Sequence, residues 1–172
     1  MSNENRLGID IGRVIIDGEH HPDGSDTAFF DGDEAAMLRT PAVPDALAAI
    51  ARLTASFDGR VWLVSKCGPR VQQRTLRWLR HHRFFELTAV PSDNVRFCLR
   101  RTDKGIHCAE LGITHFVDDK ADVHEALEGL VPNRYLFGAQ RRAAPPTNVV
   151  AVSDWSQTEH AINASLAQRY GR

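Results

Sequence analysis

Leu7-Gly8-Ile9-Asp10-Ile11-Gly12-Arg13-Val14-Ile15-Ile16 is an apolar run interrupted by an acid, an arginine and two glycines. Its isoleucine and valine content, bounded by a polar leader and by Asp17-Gly18, predicts a buried strand rather than a helix. Asp10 then stands near the carboxyl end of a central strand, and the glycine after it lets the backbone turn and another group approach closely. Open parallel α/β sheets bind ligands outside the carboxyl ends of their strands. That makes Asp10 a candidate for chemistry, although an ordinary strand-to-loop turn with an Asx hydrogen bond explains the same residues.

Downstream, strand and helix signals alternate. Pro41 and Pro44 precede a helix with Leu47, Ile50 and Leu53 at helical spacing, and Gly59 closes the turn after it. Arg60 to Ser65 reads as a second buried strand ending on a hydroxyl, and Gly68-Pro69 opens a helix to about His82 with Leu76, Trp78 and Leu79 serving the core. Asn94 to Leu99 is a third strand. Arg100 to Asp103 reads as a loop with a capping residue, and a helix from Lys104 to Leu111 ends at Gly112. Ile113 to Val117 forms a fourth strand that stops at Asp118-Asp119; Val123, Ala126, Leu127 and Leu130 mark the next helix. Two more strands, 134–137 and 148–152, precede a last helix capped by Ser153-Asp154 with Trp155, Ile162 and Leu166 inward. This order predicts one α/β domain over residues 1–172, Rossmann-like and doubly wound, with a mainly parallel sheet. Residues 17–43, rich in Gly, Asp and His, are expected to be a short flap over the strand ends and no large cap domain.

Length allows one sizeable core. The net charge of -1 excludes a strong global field for nucleic acid or acidic membrane, and no apolar run approaches membrane-spanning length. With no apolar signal region in Met1 to Arg6, a cytoplasmic protein is expected. Cys67, Cys98 and Cys108 fit neither zinc-ribbon nor redox spacing and are expected to be reduced, mostly buried thiols. Arg70, Arg74 and Arg77 share one helix face, expected to be solvated rather than phosphate-binding, and His81-His82 lacks a partner at metal-ligand spacing.

Four strand ends or helix starts carry polar residues in order: Asp10, Ser65, Lys104, and Asp118 with Asp119. Together they offer a nucleophilic carboxylate, a hydroxyl, an ammonium and a carboxylate pair. That set suits a magnesium-assisted attack on phosphorus. Mg²⁺ prefers oxygen ligands, and two adjacent acids repel unless a cation compensates. Ser65 and Lys104 can donate to phosphoryl oxygens while charge spreads in the transition state, and Asp10 can form a covalent aspartyl-phosphate that water cleaves.

The ordered set resembles the haloacid dehalogenase (HAD) superfamily. Ile9-Asp10-Ile11-Gly12-Arg13-Val14 resembles its first motif, Leu63-Val64-Ser65 the second, Lys104 the third and Phe116-Val117-Asp118-Asp119 the fourth. The resemblance implies Asp10 as nucleophile, Mg²⁺ held by Asp10, the Gly12 carbonyl and Asp119, and Asp118 supporting Lys104 and the metal shell. Ser65, Lys104 and Arg13 are the phosphate-binding candidates. The sequence departs from that pattern at Gly12, where phosphatases of the superfamily carry a second Asp that protonates the leaving group. Loss of such an acid/base puts a factor of roughly 10²–10⁴ in rate at risk, least for good leaving groups. Asp17, His20, His21, Asp31 or Asp33 of the flap are candidate substitutes; other chemistry, or a degenerate binding protein that takes metal and a phosphate-bearing partner, are the alternatives. Gly8 to Gly12 also resembles the first phosphate loop of sugar kinases and actin-like ATPases. Val14 occupies its Thr place, and 172 residues are too few for two large lobes. The expected partner is a phosphorylated small molecule or phosphate-bearing macromolecule, not nucleic acid or membrane, and the short flap implies a relatively open site.

Overall fold

The computed structural model describes residues 4–18, 27–30, 32–140 and 144–168. Six strands, β1 (Leu7–Ile9), β2 (Val61–Lys66), β3 (Val95–Cys98), β4 (His115–Asp118), β5 (Asn133–Phe137) and β6 (Val149–Val152), form one sheet. Their order is β3-β2-β1-β4-β5-β6 and every neighbouring pair is parallel. The chain winds outward from β1 to β3 on one side, then returns to β4 and winds the other way. The gap between β1 and β4 is therefore the topological switch point, where a crevice opens beyond the carboxyl ends of the strands.

Alternation along β1 divides the core. Leu7 and Ile9 join Ile50 and Leu53 of α3 (Ala46–Ser56), Trp78 of α4 (Pro69–His81) and Trp155 of α8 (Trp155–Gln168). On the other face, Val64 and Phe116 pack with Cys108 of α6 (Lys104–Leu111) and Val123 of α7 (Ala121–Ala126). Gly8 points to this second face, where a Cβ would lie 2.5 Å from a Phe116 ring carbon. Gly8→Ala is accordingly expected to cost about 1–3 kcal/mol through overpacking, read as a lower urea midpoint at unchanged slope; an unchanged midpoint would refute this close approach.

The run that opens the chain is shorter as a strand than expected. Beyond Asp10 it folds back on itself: the Ile11 carbonyl accepts from the N–H groups of Ile15 (2.8 Å) and Ile16 (3.1 Å), and Arg13, at φ 63°, donates to the Ile16 carbonyl at 2.8 Å. Ile11, Val14, Ile15 and Ile16 are nonetheless buried, because the turn sinks beneath α8, where the buried Trp155 Nε1 donates to the Val14 carbonyl at 2.8 Å.

Residues 17–43 carry two short helices, α1 (Thr27–Phe30) and α2 (Glu34–Arg39), over their described part. Here the arginine face of α4 has a structural use that its spacing did not suggest. Arg74 donates to the carbonyls of Phe29 (2.8 Å) and Gly32 (2.7 Å), and Arg77 pairs with Glu34 at 3.2 Å, while Arg70 is exposed. His82 stacks on Trp78 and its Nε2 donates to the Leu38 carbonyl at 2.8 Å. These contacts fasten the flap to α4.

Three smaller expectations are corrected. Asp103 makes no capping bond; it pairs with Arg100 across a 3₁₀ turn, Arg101–Asp103. Leu130 is half exposed because α7 ends at Ala126, and Leu76 is only partly buried. A further helix, α5 (Phe84–Thr88), follows α4. No described helix is long and apolar enough to cross a membrane, and the three cysteines are free and buried.

Candidate active site

Parallel pairing of β1 with β4 places Asp10 beside the end of β4, with its N–H on the Val117 carbonyl at 2.9 Å. Lys104, the first residue of α6 and only 3% exposed, reaches across the crevice. Its Nζ lies 2.9 Å from Asp10 Oδ1 and 2.6 Å from Asp118 Oδ2. Asp118 is fully buried, and its second oxygen accepts from the Lys120 N–H at 2.9 Å. Asp119, next along, faces the cavity and pairs with Lys120 Nζ at 3.2 Å. Carboxylate oxygens of Asp10, Asp118 and Asp119 all lie within 4.8 Å of one another.

The electrostatics follow from this crowding. Burial alone would lower the Lys104 ammonium, but the charges of Asp10 and Asp118 override it and hold Lys104 above the ordinary lysine value. Burial and then the Asp10 charge push Asp118 above the ordinary carboxylate value, against the pull of Lys104. The same two causes raise Asp119 to about 6. Three carboxylates against the buried Lys104 ammonium and the partly exposed Lys120 ammonium form a cluster short of positive charge. Such a set of hard oxygen donors fits a divalent cation such as Mg²⁺.

Behind the cluster, His124 of α7 donates from Nε2 to the Asp118 carbonyl at 2.9 Å, while its Nδ1 is buried without a hydrogen-bond partner. Burial, aided by nearby Arg134, lowers it from 6.5 to about 4, so the folded protein keeps a neutral ring. Because the unfolded chain binds that proton first, its contribution is intact above pH 6.5 and is lost as pH falls toward 4. The raised carboxylates act in the opposite sense, so the expected effect is a difference. Relative to His124→Gln, the wild type should lose up to about 3 kcal/mol more between pH 6.5 and 4. Parallel pH profiles in denaturant melts would contradict it.

A cavity of about 270 Å³ opens over the carboxylates, and Asp10, Gly12, Arg13, Ser65, Lys104 and Asp119 all reach its wall. The residues selected from the sequence thus converge, with Asp118 just beneath. Lys120 was not singled out from the sequence, yet its N–H and its ammonium serve two of the three acids; its position directly after an acid pair at a strand end is the signal that could have found it. Gln140 likewise escapes sequence reading, although its Nε2 donates to the Asp119 and Phe137 carbonyls, both at 3.0 Å.

Two solved structures share this arrangement of elements nearly end to end. A haloacid dehalogenase-like family hydrolase from Xanthomonas campestris superposes with a TM-score of 0.68 at 11% identity, covering 98% of each chain. A haloacid dehalogenase-like hydrolase from Burkholderia xenovorans gives 0.63 at 13% identity, over 95% of this chain and 98% of that one. The chain has the haloacid dehalogenase-like fold. No family model and no curated protein sequence matches it.

Within this HAD-like fold, Gly12 lies on the wall of the carboxylate cavity. An added Cβ there would meet nothing within 4 Å. Of the possible substitutes, Asp33 accepts from the Ala36 N–H at 2.7 Å as the cap of α2, and Asp17 lines a neighbouring apolar cavity rather than the carboxylate one. His20, His21 and Asp31 lie outside the described residues.

Proposed function

We propose that the protein is a magnesium-dependent phosphohydrolase of the HAD type that works through an aspartyl-phosphate on Asp10. The observation that carries this reading is the convergence of Asp10, Asp118 and Asp119 around Lys104 at the switch point of the sheet. Asp10 and Asp119, with the Gly12 carbonyl, would hold Mg²⁺, and Asp118 would support them from below. When bound, the ion supplies positive charge opposite a phosphoryl oxygen.

Asp10 uses the carboxylate oxygen not engaged by Lys104 to attack phosphorus. The Ser65 hydroxyl and the Lys104 ammonium donate to phosphoryl oxygens, offsetting charge where it develops. Asp118 keeps Lys104 protonated and aimed. The substrate is a phosphorylated small molecule, sized to a cavity of about 270 Å³. A cytoplasmic setting accords with three free, buried thiols.

The test is hydrolysis of an aryl phosphate with Mg²⁺, together with Mg²⁺ titration by calorimetry. Wild type should bind the ion without nucleotide, and Asp119→Ala should weaken that binding at least about tenfold; unchanged affinity would remove Asp119 from the metal site. Gly12 favours a second reading, a degenerate HAD-fold protein that binds metal and a phosphate-bearing partner. Absence of turnover in wild type, with a gain in Gly12→Asp, would select it.

A further inference from the structure

Beside the carboxylate cavity lies a second one of about 280 Å³, and Gly12, Arg13, Phe30, Ser65 and Lys66 line both. The two are therefore adjoining compartments. Their chemistry differs: away from the shared residues, the wall of the second is mostly apolar, with Ile11, Ile16, Phe29, Ala36 and Val71, and Asp17 and Arg39 are its charged members. The flap supplies Phe29, Phe30 and Ala36, α4 supplies Val71, and the hydrogen bonds of Arg74 to the Phe29 and Gly32 carbonyls hold that roof against α4. The flap and α4 thus bound a largely apolar chamber beside the carboxylates. Apolar cavities gain little from water and take apolar guests, and this volume is near the lower bound for small-molecule sites, about 300 Å³.

Gly12 stands at the junction of the two compartments. A Cβ there would meet nothing within 4 Å, and in the pattern this sequence resembles the residue at this place is the aspartate that protonates a departing oxygen. Its absence therefore has two consequences that select the same ligand. The way from the carboxylates into the apolar chamber is wider, and Asp17, the acid on the chamber wall, does not line the carboxylate cavity where the leaving oxygen is bonded to phosphorus, so a leaving group that is stable as an anion is the one that departs readily.

Resting on the phosphohydrolase reading, we propose that this site takes aromatic monophosphates with weakly basic leaving oxygens, the phosphate over Lys104 and the apolar body in the chamber between flap and α4. A bond forms from Asp10 Oδ to phosphorus as the bond from phosphorus to the aryl oxygen breaks. The electron pair leaves on that oxygen, and the aryloxide takes its proton from solvent. Water then adds to phosphorus, the pair of the bond between phosphorus and Asp10 returns to the carboxylate, and the water's proton passes to solvent. Ester and water give phenol and inorganic phosphate.

The binding half of the test needs no turnover. With Mg²⁺ present, calorimetry should show 1-naphthylmethylphosphonate binding at least about tenfold more tightly than methylphosphonate. Ala36→Phe and Val71→Trp, which fill the chamber from the flap and from α4, should each cut that ratio below about threefold while remaining folded by circular dichroism. Equal binding of the two phosphonates, or a preference that survives both variants, overturns the proposal. The kinetic half compares 4-nitrophenyl with phenyl phosphate, whose kcat/KM values should differ by at least about tenfold in favour of the better leaving group. Turnover with no leaving-group preference and no phosphonate selectivity would sink this inference and leave the hydrolase reading standing. Selective phosphonate binding without turnover of any ester would sink the hydrolase reading and leave the ligand class in place.

Discussion

Asp10→Asn should abolish Mg²⁺-dependent turnover of an aryl phosphate, by more than about a thousandfold in kcat, while the protein stays at least as stable as wild type. The two halves of that expectation have separate causes. An amide oxygen can still accept from Lys104 Nζ, which stands 2.9 Å from Asp10 Oδ1, so the bond that positions the side chain survives. Nucleophilicity toward phosphorus does not survive, because the amide lacks the carboxylate's charge. Removing one of three crowded carboxylates also relieves the repulsion that, after burial, raises Asp118 and Asp119. A thermal melt without Mg²⁺ should therefore show an unchanged or higher midpoint. A purely structural Asp10 would give the reverse pattern, lower stability with turnover retained, and that result would end the aspartyl-phosphate mechanism.

How far these residues could be foreseen depends on what sort of signal each one leaves. The order of strands and helices was legible because periodicity and Gly or Pro punctuation are local properties. So was the convergence of Asp10, Ser65, Lys104 and Asp119, since strand ends in a parallel sheet all open to one edge. The extent of β1 was not legible. Ile11, Val14, Ile15 and Ile16 are as buried as residues of a central strand would be, but they are buried as a turn under Trp155, and apolar content alone does not separate the two. Nor was α5, whose two ends are set by left-handed Arg83 (φ 54°) and Ala89 (φ 59°). Neither residue advertises that conformation as a glycine would. The arginines of α4 looked like a solvated face because their partners, the Phe29 and Gly32 carbonyls and Glu34, sit some forty residues away in the flap. Main-chain acceptors leave no trace in a sequence. The apolar chamber was hidden for the same reason, being made by docking a flap whose composition reads as polar.

Lys104→Met should be the most destabilising single change in the site, at about 3–5 kcal/mol. The methionine matches the lysine in length and apolar bulk, so packing is nearly kept and the loss reports charge. It leaves Asp118, fully buried, and Asp10, 6% exposed, without the cation they share. For a chain of this size a loss of that order lowers Tm by roughly 6–20 °C. If the penalty is uncompensated charge, two further changes must repair it. Asp118→Asn added to Lys104→Met should recover more than about 1 kcal/mol in a double-mutant cycle, because it removes the acid with no route to solvent. Mg²⁺ should raise Tm more in Lys104→Met than in wild type, since the ion then supplies the missing cation and its binding is coupled to folding. A cycle that is additive, with equal Mg²⁺ shifts in both proteins, would mean that Lys104 stabilises by packing alone. The anionic cluster would then need no cation, and the argument for a metal at this switch point would fail with it.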